Sequence, residues 1–442
     1  MIKFRTYITL QIIYFLIYII VPERASAQEL LSLQQVIEMA LKNNYSILIA
    51  KNDSAIAAKR FNPGNAGFLP KIDITSQQNY SQSNINQVLS SGTITDKSGV
   101  QSSNLNAGII LNWTVFDGFA MFINYDKLKE HKNVSSCIMK NEIDSAVASI
   151  IEIYAKVTLQ QNIVHLFNES VGFSDERLKF ISDKFELGSA SKLDVLQAKV
   201  DLNEDKAGLL EQVSALKNLK IQLNKVIIRN LSDDFRTNDS MDINTNLNRE
   251  ILFNSLAINN ADLCVARTNA LIAAKNTELT NSKYYPKIGL FSGYNYSSTE
   301  SGAGFMRKNS NNGLNYGLSL SFNIFDGFNT NQENEVNRLY EESSNYTLQN
   351  LKISIEGYFL QLFNNYQKYL ELVALEESNN EVAKENLDLA LERYKIGNYS
   401  SLELRQAQKN YIASQSRLIS AKFDVKMTEK ELLRICGLMT VR

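Results

Sequence analysis

Four stretches of the chain alternate apolar and polar residues with a period of two. The two clearest stretches have apolar residues at Leu105, Ala107, Ile109, Leu111, Trp113 and Val115, and at Leu314, Tyr316, Leu318, Leu320, Phe322 and Ile324. Weaker alternation follows Pro70 and Pro286. This period is typical of strands with one apolar face, so we predict strands at about 71–82, 104–116, 287–298 and 313–325. Strands of ~12 residues suit a tilted outer-membrane strand, but a half-buried strand of a soluble sheet has the same alternation.

Long segments that follow these strands have the apolar spacing of helices that pack against other helices. Steps of four and three residues separate Ile143, Val147, Ile150, Tyr154 and Val157, and likewise Ile355, Phe359, Leu362, Tyr366 and Tyr369. No proline lies between Gly118 and Leu187, so nothing interrupts a very long helix there. The spacing predicts helices of a coiled coil, and an ordinary two-helix coiled coil has the same spacing.

The same landmarks occur twice along the chain. Phe116-Asp117-Gly118 returns 209 positions later as Phe325-Asp326-Gly327, and Phe185-Glu186-Leu187-Gly188 returns at the same offset as Tyr394-Lys395-Ile396-Gly397. Pro70-Lys71-Ile72 returns 216 positions later as Pro286-Lys287-Ile288. We therefore predict a tandem duplication, with repeats at 28–230 and 248–442 joined by a polar linker at 231–247.

The N-terminus has the features of a secretory signal peptide. Lys3 and Arg5 precede an apolar stretch from Tyr7 to Val21, and Ala25-Ser26-Ala27 is a typical cleavage site. We predict that residues 1–27 are removed and that the mature chain is exported. Beyond this segment no run of 18 apolar residues occurs, which excludes membrane-spanning helices there.

Composition and charge exclude several classes of function. The formal net charge is −1, so there is no basic excess for nucleic-acid binding. The three cysteines, Cys137, Cys264 and Cys436, are far apart in helical sequence and are interpreted as small buried hydrophobes. His131 and His165 lack metal-ligand spacing, and no nucleophile or phosphate-binding motif is present. We expect no metal, no cofactor and no enzymatic activity.

Taken in order, the landmarks resemble the TolC-like outer membrane efflux protein family. The matching features are an opening helix, a segment ending at Gly67-Phe68-Leu69-Pro70, a strand pair ending at Phe-Asp-Gly, a long helix, and a glycine turn, all of them repeated. The resemblance implies an α+β fold in which a homotrimer forms a 12-stranded β-barrel in outer-membrane lipid, continued by a periplasmic α-helical coiled-coil barrel. Four strands alone would leave open edges in lipid, which requires an oligomer independently of the resemblance.

The resemblance also implies a function and partners. The chain would be the passive outer-membrane exit duct of a tripartite efflux or type I secretion system. A periplasmic adaptor and an inner-membrane transporter would be its partners, and its cargo could be small molecules or proteins. The alternative is a soluble periplasmic coiled-coil scaffold without a pore.

Five residues align with the periplasmic gate of the family. Asp194 and Glu403 fall at aspartate positions near the constriction, and Tyr394 matches the gate tyrosine. Tyr399 replaces an arginine that takes part in closure, and Gln406 replaces a second aspartate. Ser191 and Ser400 precede the two carboxylates by three residues, so both pairs are also predicted capping boxes. The carboxylates could therefore cap helices, form a gate, or do both.

Two further groups of residues are predicted at turns. The adaptor-docking turns, by resemblance, are Leu187, Gly188 and Ser189 and their counterparts Ile396, Gly397 and Asn398. The strand-to-helix junctions are Asp117-Gly118 and Asp326-Gly327, where aspartate suits a helix N-cap and glycine permits a sharp bend. We expect a structural role for these junctions.

Overall fold

The computed structural model describes residues 29–88, 90–238, 242–303 and 306–439. The predicted signal peptide at 1–27 lies outside these residues. The chain divides into two compact units, one formed by 49–141 with 261–356 and the other by the remaining segments. The strands are β1 (Glu29–Leu31), β2 (Lys71–Val88), β3 (Ile94–Phe116), β4 (Phe235–Thr237), β5 (Lys287–Ser301) and β6 (Lys308–Ser321). The helices are α1 (Leu33–Asn43), α2 (Tyr45–Arg60), α3 (Pro63–Ala66), α4 (Ala120–Glu186), α5 (Lys192–Val226), α6 (Arg249–Asn259), α7 (Ala261–Asn281), α8 (Asn329–Lys395) and α9 (Ser401–Ile435).

The first unit contains an antiparallel four-stranded sheet in the order β2-β3-β5-β6. Partner residues in such a sheet lie on the same face. One row across the sheet is Ile74, Ile109, Tyr294 and Leu314, and all four side chains are exposed in the single chain. The next row, on the opposite face, is Thr75, Gly108, Asn295 and Gly313. The sheet therefore has an apolar face and a small, polar face, as the alternation predicts.

The strands are longer at their polar ends than predicted. β2 continues to Val88 and β3 begins at Ile94, whereas the predicted strands are 71–82 and 104–116. β5 and β6 likewise extend into 298–312. Backbone hydrogen bonds do not depend on the side chain, so Ser, Asn and Gln continue the ladder. At the other end, β6 stops at Ser321 instead of 325, because its partner β5 begins opposite it at Lys287, directly after Pro286.

The second unit contains a parallel strand pair and packed helices. β1 pairs with β4, so the predicted linker 231–247 includes an ordered strand. Phe235 and Tyr154 belong to the buried cluster around this pair, and the Tyr154 hydroxyl donates a hydrogen bond to the Leu31 carbonyl at 2.9 Å. The strand pair therefore connects the N-terminus of α1 and the C-terminus of α5 to the middle of α4.

Elements at matching sequence positions have matching lengths. α4 and α8 each contain 67 residues, α5 and α9 each contain 35, and α1 and α6 each contain 11. The Asn44 side-chain amide donates to the Val226 carbonyl at 3.0 Å, and the Asn260 amide donates to the Ile435 carbonyl at 2.8 Å. The turn after α1 is therefore bonded to the end of α5 in the same way as the turn after α6 is bonded to the end of α9.

The interpretation of the cysteines is wrong for two of the three. Cys137 on α4 and Cys264 on α7 form a disulfide, with their Cα atoms 6.0 Å apart. They are separated by 127 residues, and linear spacing gives no sign of a pairing across two helices. Cys436 is a buried free thiol, and burial raises its pKa to about 12. It therefore acts as a small hydrophobe at neutral pH.

Candidate gate and docking site

Two tight turns connect the long helices of the second unit. Gly188 and Gly397 adopt positive φ angles of 75° and 84°, which a glycine accommodates without strain. In the first turn the Ser189 amide donates to the Lys184 carbonyl, and in the second the Asn398 amide donates to the Arg393 carbonyl. These bonds close the preceding helix. Leu187 and Ile396 are left 83% and 71% exposed, so each turn presents one apolar side chain.

Asp194 and Glu403 both complete capping boxes immediately after these turns. The Asp194 amide donates to the Ser191 hydroxyl at 3.2 Å, and the Asp194 carboxylate accepts from the Ser191 amide at 3.0 Å. Glu403 makes the same two bonds with Ser400, at 3.2 and 2.9 Å. The Ser191 hydroxyl and amide both donate to the Asp194 carboxylate, and the Ser400 amide and hydroxyl both donate to the Glu403 carboxylate. These donated bonds favour the ionised form and lower the pKa of both carboxyls. The carboxylates are exposed, so the capping geometry leaves two charged groups facing solvent beside the turns.

Tyr394 lies in the core between the helical hairpins. It is 7% exposed and belongs to a cluster that joins α4, α5, α8 and α9. Its ring centroid lies 5.2 Å from that of Phe180, and the Lys184 ammonium lies 4.6 Å from the Phe180 centroid. Burial raises the pKa of the Tyr394 phenol, which keeps it neutral.

The other two aligned gate positions have different surroundings. Tyr399 is half-buried and packs against the same cluster as Tyr394. Gln406 is exposed on α9, and its amide donates to the Asn410 side chain at 2.9 Å. Tyr394 and Tyr399 therefore share one buried cluster, whereas Asp194, Glu403 and Gln406 are exposed.

A buried ionic layer, which the sequence did not point to, lies among α4, α5 and α9. Arg405 donates two hydrogen bonds to the Asp205 carboxylate, at 2.7 and 2.8 Å, and one to the Ser174 hydroxyl at 3.2 Å. Arg177 pairs with Asp201 and also reaches the Ser401 carbonyl at 3.4 Å. Although burial opposes ionisation, the bonds from Arg405 and Ser174 keep the pKa of Asp205 below its ordinary value.

This ionic layer links the two halves of the chain. Arg405 follows Leu404 on α9, and both side chains are buried. A buried ion pair adds little stability compared with a well-packed apolar contact, but breaking it by removing one partner is costly. The layer therefore fixes one arrangement of α9 against α4 and α5. The sequence signal that could have found this layer is a charged residue, Arg405, placed between the apolar residues Leu404 and Ala407, which are also buried.

The strand-to-helix junctions are stabilised in the same way in both halves. The Met121 amide donates to the Asp117 carboxylate at 3.1 Å, and the Thr330 amide donates to the Asp326 carboxylate at 2.8 Å. Gly118 and Gly327 have φ angles of 71° and 72°. Each aspartate thus satisfies an amide in the first helical turn while the glycine bends the chain.

Within the described ranges, no group of three or more His, Cys, Asp and Glu side chains is arranged to hold a metal ion. No helix in the same ranges is long and apolar enough to cross a membrane.

Long strands with one apolar face, helices of 67 residues and exposed glycine turns together define the class of outer-membrane channel proteins that combine strands with helical hairpins. The family model of the outer membrane efflux protein matches residues 36–227 and 252–438. The chain belongs to the outer membrane efflux protein family, which confirms the resemblance found in the sequence. It is an efflux channel protein of the outer membrane.

Known proteins of this kind are similar to the chain over most of its length. The outer membrane efflux protein BepC of Brucella suis is 19% identical over 333 residues, which cover 75% of this chain and 72% of BepC. The Campylobacter jejuni CmeC outer membrane channel superposes with a TM-score of 0.76 and 16% identity, over 92% of this chain and 85% of CmeC. VceC from Vibrio cholerae superposes with a TM-score of 0.72 and 15% identity, over 92% and 96%.

Proposed function

We propose that three copies of this chain form a 12-stranded transmembrane barrel continued by a periplasmic coiled-coil barrel. The assembly would be the passive exit duct of a tripartite efflux or type I secretion system. The observation that supports this most directly is the four-stranded sheet, whose outer strands β2 and β6 each have a partner on only one side among the described residues. Its apolar face is exposed in the single chain.

A sheet of this kind is unstable in lipid unless its edges are paired. Each unpaired backbone group in the hydrocarbon costs several kcal/mol, so spanning sheets close into barrels. Four strands are too few, since bacterial barrels start at about eight. Three copies supply twelve strands, and the small, polar face of the sheet would then line the channel.

We propose that the chain arose by tandem duplication. The equal lengths of α4 and α8 and of α5 and α9 support this, as do the equivalent Asn44 and Asn260 hydrogen bonds. Positive φ angles also recur 209 positions apart, at Gly118 and Gly327 and at Gly188 and Gly397. A trimer of two-repeat chains would place six similar hairpin turns at the periplasmic end.

These turns would dock a periplasmic adaptor that connects the duct to an inner-membrane transporter. Leu187 and Ile396 are exposed apolar side chains on tight turns, which suits insertion into a partner's groove. Asp194 and Glu403, each seven residues further on, would supply three carboxylates each to an electronegative constriction. The duct would act without enzymatic activity, cofactor or nucleic acid. A soluble scaffold is not favoured, because the family is one of outer-membrane proteins.

The proposal is tested by oligomeric state and pore formation. Purified protein in detergent should have the mass of a trimer by light scattering, and it should form conducting pores in planar bilayers. Monomers, or trimers without conductance, would contradict the duct.

Docking is tested separately at the second turn. Ile396→Asp should abolish efflux in cells while leaving membrane trimers intact, because it alters only an exposed side chain of the turn. Gly397→Trp should also abolish efflux, but it strains the turn as well, because Gly397 has a φ of 84°. Ile396→Val is the matched control and should retain efflux. Normal efflux by Ile396→Asp would rule out this turn as the docking contact.

A further inference from the structure

The two outer strands of the sheet are candidates for an interface with a second copy of this chain. This inference rests on the proposed trimer and goes beyond it, since a trimer by itself does not fix which residues meet. The contact between the two halves within one chain, β3 with β5, is observed residue by residue. If the halves are repeats, the contact between chains, β6 with β2, should repeat it.

We propose that β6 of one copy pairs antiparallel with β2 of the next in the register of the β3–β5 contact. Ser319 corresponds to Ile110, 209 positions earlier, and Gln77 corresponds to Gly293, 216 positions later. Ile110 pairs with Gly293 within the chain. Ser319 therefore faces Gln77 of the next copy, and the seam extends from Ser321 opposite Thr75 to Gly313 opposite Ser83. It ends there because β2 has a register shift between Ser83 and Ile85.

The register keeps the two faces of the sheet continuous across the seam. Ser319 lies on the small, polar face, one residue from Leu318 on the apolar face, and Gln77 pairs with Asn106 on the polar face of the neighbouring strand. A shift by one residue would place polar side chains against lipid. A shift by two residues keeps every side chain on its own face of the sheet, so registers shifted by two are the alternatives that an experiment has to exclude.

The same repeat offsets, applied to a contact between helices, also predict an ion pair between neighbouring copies. Within the chain, Lys275 on α7 lies 3.6 Å from Asp126 on α4. The corresponding residues are Lys59 on α2 and Glu335 on α8, which are again of opposite charge and are exposed. Lys59 of the next copy would therefore pair with Glu335.

Exposure at the junctions supports the same seam. A Cβ atom at Gly118 would collide with the Ser282 carbonyl, whereas one at Gly327 would meet only the Asn329 side chain at 3.7 Å. The counterpart of Ser282 in the first half is Ala66, which would fill this space from the next copy. Ile272 on α7 is 9% exposed, while its counterpart Ile56 on α2 is 49% exposed. The first half thus lacks a neighbour that the second half has.

The register is tested by cysteine cross-linking in the membrane-embedded full chain. Gln77→Cys combined with Ser319→Cys should give covalent dimers and trimers on mild oxidation, because directly opposed Cβ atoms lie within disulfide reach. Two matched controls shift the register by two residues in opposite directions: Gln77→Cys with Ser321→Cys, and Thr75→Cys with Ser319→Cys. We expect at least about ten-fold less cross-linking in either control. The two edges are too far apart within one sheet for links inside a chain.

Light scattering on the unoxidised protein separates the possible failures. Trimers in which a shifted pair cross-links best, or in which none of the three pairs does, would overturn the register but leave the proposed duct standing. Monomers would overturn both. As a second measurement, Lys59→Glu and Glu335→Lys should each weaken the trimer, and the double variant should restore it. Absence of this rescue would refute the helix contact.

Discussion

The Arg405–Asp205 pair gives a prediction whose size follows from its burial. The two side chains are 8% and 12% exposed, and two hydrogen bonds join them. Arg405→Met removes the positive partner and leaves the Asp205 carboxylate buried without its charge partner, at a cost of about 3–5 kcal/mol. Arg405→Met combined with Asp205→Leu removes both charges and should restore most of the lost stability, because an apolar pair of similar volume can replace a buried ion pair.

An exposed ion pair of the same fold provides the control. Lys422 lies 2.9 Å from Glu377, with side chains 38% and 53% exposed. Lys422→Met should cost at most about 1 kcal/mol, because solvent screens an exposed pair. The comparison separates the effect of burial from that of losing a salt bridge.

Thermal unfolding of the purified proteins in detergent, followed by far-ultraviolet circular dichroism, compares the wild type with the three variants. We expect Arg405→Met to have the lowest apparent Tm, with the double variant and Lys422→Met near the wild type. If Arg405→Met and Lys422→Met were equally mild, the ionic layer would not fix α9 against α4 and α5. If the double variant were as unstable as Arg405→Met, the layer would stabilise by packing instead of by charge compensation.

Three further predictions concern the disulfide and the two capping carboxylates. Replacing Cys137 and Cys264 by serine should lower the free energy of unfolding of the oxidised protein by up to about 5 kcal/mol, because the disulfide joins cysteines 127 residues apart and so restricts the unfolded chain. Unchanged mobility of the variant on non-reducing gels would refute the disulfide. Asp194→Ala with Glu403→Ala should raise single-channel conductance or lower cation selectivity in planar bilayers; no change in intact trimers would leave only the capping role. Folding lowers the pKa of Asp194 and of Glu403. The stability that their caps give the folded protein is therefore fully present above the ordinary carboxyl pKa of about 4, and it is lost as the pH falls through the lowered values. Asp194→Asn with Glu403→Gln should therefore be less stable than the wild type at neutral pH and equal to it in strong acid; a difference that persists in acid would contradict this.

The sequence predicted those parts of the fold that depend on local periodicity. The phase of the strands followed from alternation at Ile109 and Leu314, because a two-residue period leaves one choice of face. The turns at Gly188 and Gly397 followed from glycine between helical patterns. The capping boxes followed from serine three residues before a carboxylate. In each case the determining residues are neighbours in the chain.

Features formed by residues far apart in the chain were missed. Cys137 and Cys264 lie on different helices, and only the packing of α4 against α7 brings them together. Arg405 and Asp205 are 200 positions apart, so no local pattern links them. Tyr394 matched a gate residue by position, yet its burial depends on Phe180 from the other half of the chain. The polar strand ends were missed because ladder hydrogen bonds involve the backbone alone.

The strand order of the sheet has a consequence for biogenesis. Its central contact pairs residues near 110 in β3 with residues near 293 in β5. The β2–β3 hairpin therefore has no partner for β3 until nearly two hundred further residues have been synthesised. Contacts of such long sequence separation form slowly. During synthesis and secretion the N-terminal half emerges first, carrying an amphipathic hairpin with two open edges, which is a template for aggregation. Holding this half-chain apart from its neighbours until the second half arrives is a task that the cell has to perform for every copy of the protein.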